Sequence, residues 1–247
     1  MKAIILAAGV SKRLRPITNN IPKCLLKLNG KTILDYQLEC LVKSKISEVL
    51  IVVGYKKNMI INHIKQLNYH CVVKTIYNDI FDKTDNAYST ALALNYVNPE
   101  IDSTIILDGD IIFDIELLKK LVVSKYKNVL IADNTKKVEP EDCKVKIINN
   151  YVVGLGKAIQ GETVYTSMIK LSGKFLDEFK EELKKPRIKP EWYSEPLHRL
   201  LIKYPEKVRA IFTDGLLRYE IDTYDDLIHA IEIYKEIKQR YEESGEM

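Results

Sequence analysis

The residues most informative about function fall into four groups whose types and spacing suit phosphate and metal chemistry. A short apolar run ends in Leu6, Ala7, Ala8 and Gly9. Small residues where a strand ends let backbone N–H groups approach an anion closely. Ser11, Arg13 and Lys23 follow and add a hydroxyl and two positive charges, as a bound polyphosphate requires. A plain strand–loop–helix turn with solvated cations is the alternative, and one glycine with two cations alone would favour it.

The second group consists of two carboxylates beside a glycine. Asp108, Gly109 and Asp110 follow the β-branched run at 104–107. Carboxylates at the C-terminal end of a central strand are placed to hold a Mg²⁺ ion that bridges phosphate oxygens. A turn or capping role is an equal alternative for these residues taken alone.

The third group lies near the C-terminus, where Glu220 and Asp222 alternate along a predicted strand. Because side chains alternate across a strand, both acids point to the same face. Asp225 and Asp226 fall in the first turn of the next helix, where acids favour the helix dipole. We interpret these last two as structural.

The fourth group includes Asn86 and Ser89, close to Thr84 and Asp85, either of which can cap the following helix. Further on, Lys157 is either an acceptor contact or a surface lysine. Trp192, Tyr193 and Glu195 form a cluster that suits a cationic amine, since aromatic faces attract ammonium groups by roughly 0.5–2 kcal/mol. Tyrosine and tryptophan also fill cores, so that alternative stays open.

A second candidate phosphate-binding loop lies further along the chain, where Gly30, Lys31 and Thr32 resemble the end of a P-loop. That motif requires another glycine five residues before Gly30. Leu25 occupies this position, which excludes a P-loop and leaves Gly30 as a turn residue.

The segment A-A-G-x-S-x-R-L-x-P-x-T, followed by P-K, closely resembles the opening of the sugar-phosphate and phosphocholine nucleotidyltransferase family. Ser11 is a departure, since many members have a second glycine there. The resemblance implies that Leu6, Ala7 and Ala8 contact the nucleotide. It also implies that Gly9, Ser11 and Arg13 hold the β- and γ-phosphates and that Lys23 contacts the α-phosphate.

Other segments extend this resemblance over almost the whole chain. The family's metal-binding residues fall on Asp110 and on Asp222 within E-I-D-T, with Glu220 as a third ligand and Asp108 near the ribose. Residues 86–89 resemble the N-x-x-S-L segment of the phosphocholine-type cytidylyltransferases, which places Asn86 and Ser89 beside the nucleotide. Lys157 matches a cation for the acceptor phosphate. A Gly-rich segment typical of hexose-1-phosphate members is missing here, which favours a small acceptor.

The elements that must position these residues alternate through the first half of the chain. Runs of about five β-branched residues separated by longer helical patterns predict βαβ units. The crossover rule then predicts an α/β fold with a Rossmann-like, doubly wound, mostly parallel sheet. Closely linked strands in the second half predict an inserted acceptor-side β/α lobe, with Asn149-Asn150 as a hairpin turn. We predict a single nucleotidyltransferase domain over residues 1–247.

Composition narrows the class of protein further. The 247 residues include 46% hydrophobic and 29% charged residues with a net charge of +4, and the basic residues are interleaved with acids. This pattern predicts no nucleic-acid partner. Four dispersed cysteines without a C-x-x-C pair predict reduced thiols and a cytoplasmic protein. No signal peptide or membrane span is expected. The sequence is compatible with both a monomer and a homo-oligomer.

Together these features predict an Mg²⁺-dependent enzyme that transfers CMP from CTP to a small phosphorylated acceptor and releases pyrophosphate. Phosphocholine and 2-aminoethylphosphonate are the first candidates, ahead of a phosphorylated sugar, polyol or amide. One alternative is a hexose-1-phosphate uridylyl- or thymidylyltransferase. Another, from a different class, is a catalytically inactive nucleotide-binding regulator. Retention of Arg13, Lys23, Asp110 and Asp222 together argues against the regulator.

Overall fold

A nine-stranded sheet forms the centre of the computed structural model, which describes residues 1–67, 70–186 and 188–244. The remaining positions of the predicted domain lie outside the described residues. The strands, in chain order, are β1 Lys2–Ala7, β2 Lys27–Leu28, β3 Lys31–Thr32, β4 Glu48–Val53, β5 Val72–Tyr77, β6 Ser103–Asp108, β7 Ile111–Phe113, β8 Val129–Asp133, β9 Lys144–Ile148, β10 Tyr151–Gly156, β11 Thr163–Ser172, β12 Arg209–Phe212 and β13 Arg218–Glu220. The helices are α1 Ile33–Lys43, α2 Lys57–Lys65, α3 Asn86–Leu94, α4 Ile115–Val123, α5 Gly173–Lys184, α6 Ser194–Lys203 and α7 Tyr224–Ser244.

The sheet has the strand order β5-β4-β1-β6-β11-β8-β12-β10-β9. Its first four strands are parallel, as the βαβ pattern predicts. Strand β11 runs antiparallel to β6 and β8, and β9 and β10 pair antiparallel at the far edge. The strands of the second half therefore extend the same sheet and make it mixed beyond β6.

Apolar side chains on both faces of the sheet explain its two layers of helices. Along β1, Ala3 and Ile5 belong to one buried cluster and Ile4 to the other. The first cluster includes residues of α1, α4 and α7, and the second includes residues of α3, α5 and α6. This three-layer arrangement confirms the predicted α/β fold class. No helix among the described residues is long and apolar enough to cross a membrane.

Capping and turn residues in the sequence coincide with the observed starts of two helices and with one hairpin turn. Thr32 and Asp35 form a capping box at the start of α1, and the Asp85 side chain accepts a hydrogen bond from the Asn86 N–H at the start of α3. Asn149 and Asn150 have φ values of 51° and 64° in the hairpin between β9 and β10, which confirms that turn.

The strand predicted for the C-terminal acidic segment is β13, which ends at Glu220. It pairs antiparallel with β7 in a small separate sheet and not in the nine-stranded one. Because β7 follows Asp110 directly, this pairing brings the C-terminal acidic segment beside the turn after β6.

Candidate active site

The turn predicted to contact the nucleotide begins where β1 ends, beside the carboxyl end of β6. The carbonyl of Leu6 accepts a hydrogen bond from the N–H of Gly109 at 2.9 Å, and that of Ala8 accepts one from the N–H of Tyr55 at 3.0 Å. A Cβ at Gly109 would lie 2.6 Å from the Leu6 carbonyl oxygen, and a Cβ at Gly54 would lie 2.6 Å from that of Ala8. Glycine is therefore required on both sides of this turn. Our sequence interpretation assigned no role to Gly54 or Gly109.

The loop that follows is held by its own backbone. Ser11 has a left-handed φ of 53°, which is uncommon for a residue with a Cβ. Its carbonyl accepts hydrogen bonds from the Thr18 hydroxyl at 2.9 Å and from the Leu14 N–H at 3.2 Å. The Arg13 side chain, which is 70% exposed, leaves this loop and reaches the acidic segment after β13.

Three carboxylates from two distant segments meet at the end of β6. Asp110, Glu220 and Asp222 each offer an oxygen, and these oxygens lie within 4.8 Å of one another. The backbone keeps the segments together, because the Ile221 N–H donates to the Asp110 carbonyl at 3.0 Å. The strand β13 ends at Glu220, so Asp222 reaches the site from the following loop and not by strand alternation.

Asp226, in the first turn of α7, fixes the backbone of that loop. Its Oδ2 accepts hydrogen bonds from the N–H groups of Asp222 at 3.1 Å and Thr223 at 2.7 Å. The structural role predicted for Asp226 is confirmed, and the contact also positions a member of the acidic cluster.

Two basic side chains contact Asp110 and Asp222. Lys23 Nζ lies 2.7 Å from Asp110 Oδ2 and 3.0 Å from Asp222 Oδ1, and Arg13 Nη2 lies 2.8 Å from Asp222 Oδ2. Burial acts to lower the pKa of Lys23, but the charges of Asp110 and Asp222 outweigh it and raise that pKa. Lys23 therefore stays positively charged.

The acidic cluster has the donors that a hard divalent cation requires. Mg²⁺ prefers carboxylate oxygens. Asp110 Oδ1 is buried and has no hydrogen-bond partner among the described residues, although burying an unpaired carboxylate oxygen is costly. An oxygen left open beside two further carboxylates fits a metal ligand.

Behind the cluster lies Arg218, which the sequence did not indicate as a site residue. The buried Arg218 donates from Nε to the Thr166 carbonyl at 3.1 Å and from Nη2 to Glu220 Oε2 at 2.7 Å. This second contact holds Glu220 beside the other acids. Arg218 carried no motif signal, because only the pairing of β13 with β7 brings it inward.

Asp108 also belongs to this region. Burial raises the pKa of Asp108 well above its usual value, and the charges of Asp110 and Glu220 act in the same direction. A hydrogen bond with the Ser167 side chain opposes that rise. Ser167 lies at a bulge in β11 with φ of 61°, a feature without a sequence signal.

The residues expected on the α3 side of the site are mainly structural here. Asn86 Oδ1 accepts a hydrogen bond from the Tyr193 N–H at 2.7 Å, so it ties α3 to the segment before α6. Ser89 is 4% exposed, and its hydroxyl accepts a hydrogen bond from Asn78 Nδ2 at 3.1 Å. The Ser89 hydroxyl is thus enclosed by the protein, and its contact with the nucleotide stays a prediction.

The expected aromatic cage is also corrected. Tyr193 is 2% exposed, and its hydroxyl lies 2.9 Å from that of Tyr165, so its ring belongs to the core. Trp192 is 42% exposed, but its ring already faces Lys157 Nζ at 4.3 Å from the centroid. Glu195 Oε2 accepts a hydrogen bond from the Trp192 N–H at 3.0 Å. These residues do not form an open cage for an amine.

Comparison with known proteins decides the family. The family model described as nucleotidyl transferase matches residues 2–141, more than half of the chain. The chain belongs to the nucleotidyl transferase family. It is 31% identical to the choline-phosphate cytidylyltransferase of Streptococcus pneumoniae, over 95% of this chain and 99% of that protein. It is 30% identical to the CTP:phosphoglutamine cytidylyltransferase of Campylobacter jejuni, over 72% and 76%.

Solved structures confirm the fold of this nucleotidyltransferase. The inositol-1-phosphate CTP transferase from T. maritima superposes with a TM-score of 0.78 at 24% identity, with 96% of each chain covered. The CTP:phosphocholine cytidylyltransferase LicC from Streptococcus pneumoniae gives a TM-score of 0.76 at 22% identity, with 94% and 98% covered. At these identities the likeness concerns the fold alone.

The chain is thus an enzyme of the nucleotidyltransferase class that resembles the cytidylyltransferases. Chemically, the site of this nucleotidyltransferase combines a glycine-lined turn, two cations and three converging carboxylates. Such a set suits a reaction in which phosphate charge must be neutralised and held in place.

Proposed function

We propose that this nucleotidyltransferase transfers CMP from CTP to a small phosphorylated acceptor, with Mg²⁺ as its cofactor and pyrophosphate as the second product. The two relatives that it resembles at 30% and 31% identity are both named cytidylyltransferases. The acceptors in their names, phosphoglutamine and choline phosphate, are small phosphorylated molecules. This supports both the nucleotide and the class of acceptor in the proposal.

One observation carries the proposal: the convergence of Asp110, Glu220 and Asp222 beside Lys23 and Arg13. The unpartnered Oδ1 of Asp110 supports a cation as the missing neighbour. A protein that only bound a nucleotide would not need converging carboxylates next to two phosphate-binding cations.

The proposed chemistry is direct transfer. An oxygen of the acceptor phosphate attacks the α-phosphorus of CTP in line, a new P–O bond forms, and the bond to the β-phosphate oxygen breaks as pyrophosphate leaves. The acceptor phosphate is already ionised near neutral pH, so no general base is required. When bound, Mg²⁺ would supply charge neutralisation on phosphate oxygens, with Asp110, Asp222 and Glu220 as its holders.

The side chains of this chain do the positioning in this proposal. The turn at Leu6–Gly9 and Ser11 presents N–H and hydroxyl donors to the nucleotide, and Arg13 contacts its β- and γ-phosphates. Lys23 contacts the α-phosphate, and its ammonium group must move away from Asp110 and Asp222 to do so. This movement is favourable once another cation binds those carboxylates, because the ammonium group and the new cation would repel each other if both stayed there.

For the acceptor, we propose contact through its phosphate. Lys157 places its ammonium group over the ring of the partly exposed Trp192 and is our candidate for the acceptor phosphate. Phosphocholine and 2-aminoethylphosphonate remain the first acceptors to test. Recognition of an amine through Tyr193 is not part of the proposal, because that ring is buried.

A pyrophosphate-release assay with a matrix of nucleotides and acceptors tests the proposal. CTP, UTP and dTTP are each combined with phosphocholine, 2-aminoethylphosphonate, phosphoglutamine, inositol 1-phosphate and glucose 1-phosphate, with and without Mg²⁺. We expect turnover with CTP and at least one small acceptor, and loss of turnover with EDTA. Turnover confined to glucose 1-phosphate with UTP or dTTP would instead establish a hexose-1-phosphate enzyme. Nucleotide binding with no turnover in any combination would indicate a regulator.

A further inference from the structure

A buried glutamine of α1 contacts the turn that carries Asp110. Gln37 is 0% exposed, on a helix face that is otherwise largely apolar and packs in the core. Its Nε2 donates to the carbonyl of Asp108 at 2.9 Å and to that of Ile111 at 2.8 Å. One amide group therefore bridges both ends of the turn between β6 and β7.

The chemistry of these contacts fixes the orientation of the amide. Both partners are carbonyl oxygens, which only accept hydrogen bonds, so the NH₂ group must face them. Gln37 Oε1 then has no hydrogen-bond partner among the described residues. Leaving a buried amide oxygen unpaired is unfavourable, so this residue type is a poor choice for packing alone.

The turn is held on two further sides by the backbone. The Gly109 N–H donates to the Leu6 carbonyl at 2.9 Å, and the Asp110 carbonyl accepts from the Ile221 N–H at 3.0 Å. Gln37 adds the third support, from the helix side, and is the only one of the three made by a side chain. Removing it would take one hydrogen bond from each of two carbonyls that flank the residue whose carboxylate must keep its direction.

We propose that Gln37 is a positioning residue, which sets the direction of the Asp110 carboxylate through the turn at 108–111. This inference rests on the proposed function, in which Asp110 holds the cation. Groups that orient a metal ligand from behind typically change metal affinity or activity 10–100-fold when they are removed.

The test uses the full chain with Gln37→Met, which keeps a similar side-chain volume and removes the amide. Mn²⁺ binding is measured by EPR without nucleotide, and kcat and KM are measured with CTP and the best acceptor. We expect Mn²⁺ affinity to fall about 10–100-fold, with a matching decrease in kcat at fixed Mg²⁺. The KM for CTP should change little, because the turn at Leu6–Gly9 and the side chains of Arg13 and Lys23 are unchanged in this variant.

Leu41→Ala is the matched control, since Leu41 lies on the same helix, is 0% exposed and has no contact with the turn among those described above. It should lower the melting temperature at least as much as Gln37→Met does while leaving Mn²⁺ affinity unchanged. Equal Mn²⁺ affinity in Gln37→Met and wild type, with unchanged kcat, would overturn the positioning role. If Gln37→Met does not fold, Gln37→Asn decides, because it keeps the amide but is one carbon too short to bridge the turn.

Asp110→Asn separates this inference from the proposed function. Wild-type Mn²⁺ binding that survives Asp110→Asn would show that the cation lies elsewhere, which counts against the proposed metal site. In that case a comparison of the kcat values of Gln37→Met and Leu41→Ala still decides whether Gln37 supports the turn at 108–111.

Discussion

Asp110 and Asp222 share a single cation, since Lys23 Nζ lies 2.7 Å from Oδ2 of the first and 3.0 Å from Oδ1 of the second. The ammonium group joins the turn after β6 to the loop after β13, and both carboxylates gain a counter-charge from it. Lys23 thereby keeps the two acids close together, as the proposed cation site requires.

We expect Asp110→Asn and Asp222→Asn each to reduce turnover to less than about a tenth of the wild-type rate, even at saturating Mg²⁺. The physical reason is that each variant leaves only two of the three carboxylates, which neutralise and orient the cation less well. The fold should persist, because Lys23 keeps one of its two partners in each variant. Asp225→Asn, in the first turn of α7, is the control and should retain wild-type turnover. Activity above a tenth in either test variant would contradict the metal assignment.

Arg13→Ala should lower kcat by roughly 10³-fold, the lower end of what an arginine at a phosphoryl-transfer site contributes. The Arg13 side chain contacts Asp222 of the acidic cluster. Arg15, two residues later, is exposed and contacts none of the three carboxylates in the part of the chain that the structure describes. Arg15→Ala is therefore the control and should cost far less. Steady-state kinetics measure both, and equal losses would show that the loop acts only as a diffuse positive surface.

Lys157→Met should raise the KM for the acceptor severalfold and leave the KM for CTP nearly unchanged. The reason is that Lys157 supplies the positive charge beside Trp192 on the acceptor side of the proposal. Lys146→Met, on the exposed side of β9, is the charge-matched control. A parallel rise in both KM values would place Lys157 on the nucleotide side.

Tyr193→Phe complements that experiment. It keeps the buried ring and removes only the hydroxyl that contacts Tyr165. Acceptor KM should not change, whereas a ligand cage that used this hydroxyl would show a clear increase.

Glu182→Gln tests an ion pair that joins α5 to α6. Glu182 is buried, and its Oε1 accepts from Arg199 Nε at 2.8 Å. Burial alone would raise the pKa of Glu182, but contacts with Lys185 and Arg199 outweigh it and lower that pKa below 4.5. The stabilisation is therefore present above pH 4.5 and is lost as the pH falls through the lowered pKa.

At pH 7 we expect Glu182→Gln to lower the melting temperature by about 2–4 °C, the shift that about 1 kcal/mol gives in a chain of this size. The difference from wild type should shrink as the pH falls below 4.5. Thermal melts across pH 4–7 measure it, with Glu181→Gln on the exposed side of α5 as the control. A difference that grows on acidification would contradict the sign of the pKa shift.

Much of the fold and part of the site could be predicted from local patterns. Alternation of β-branched runs with helical periods predicted the parallel strands, because burial on both faces of a sheet imposes that composition. The motif at Gly9–Lys23 and the acids Asp110 and Asp222 carried their own spacing signals. The structure brings both acids to Lys23, although they lie in distant segments.

The acceptor side was predicted less well, because aromatic residues serve packing and recognition alike. Trp192 and Tyr193 are neighbours in sequence, yet one is 42% and the other 2% exposed. The residue types of Trp192 and Tyr193 do not by themselves predict which of the two rings is buried. The depth of a ring depends on how α6 packs on the sheet.

The sequence by itself determined the fold class and the family, since these depend on periodicity and on motifs of residues close together in the chain. Only the tertiary structure decided which cation lies between Asp110 and Asp222 and which residues support them. Gln37, Arg218 and Ser167 act through contacts between α1, β13, β11 and the turn after β6. Such contacts join residues far apart in the chain, so their geometry exists only once the sheet and its helices have packed.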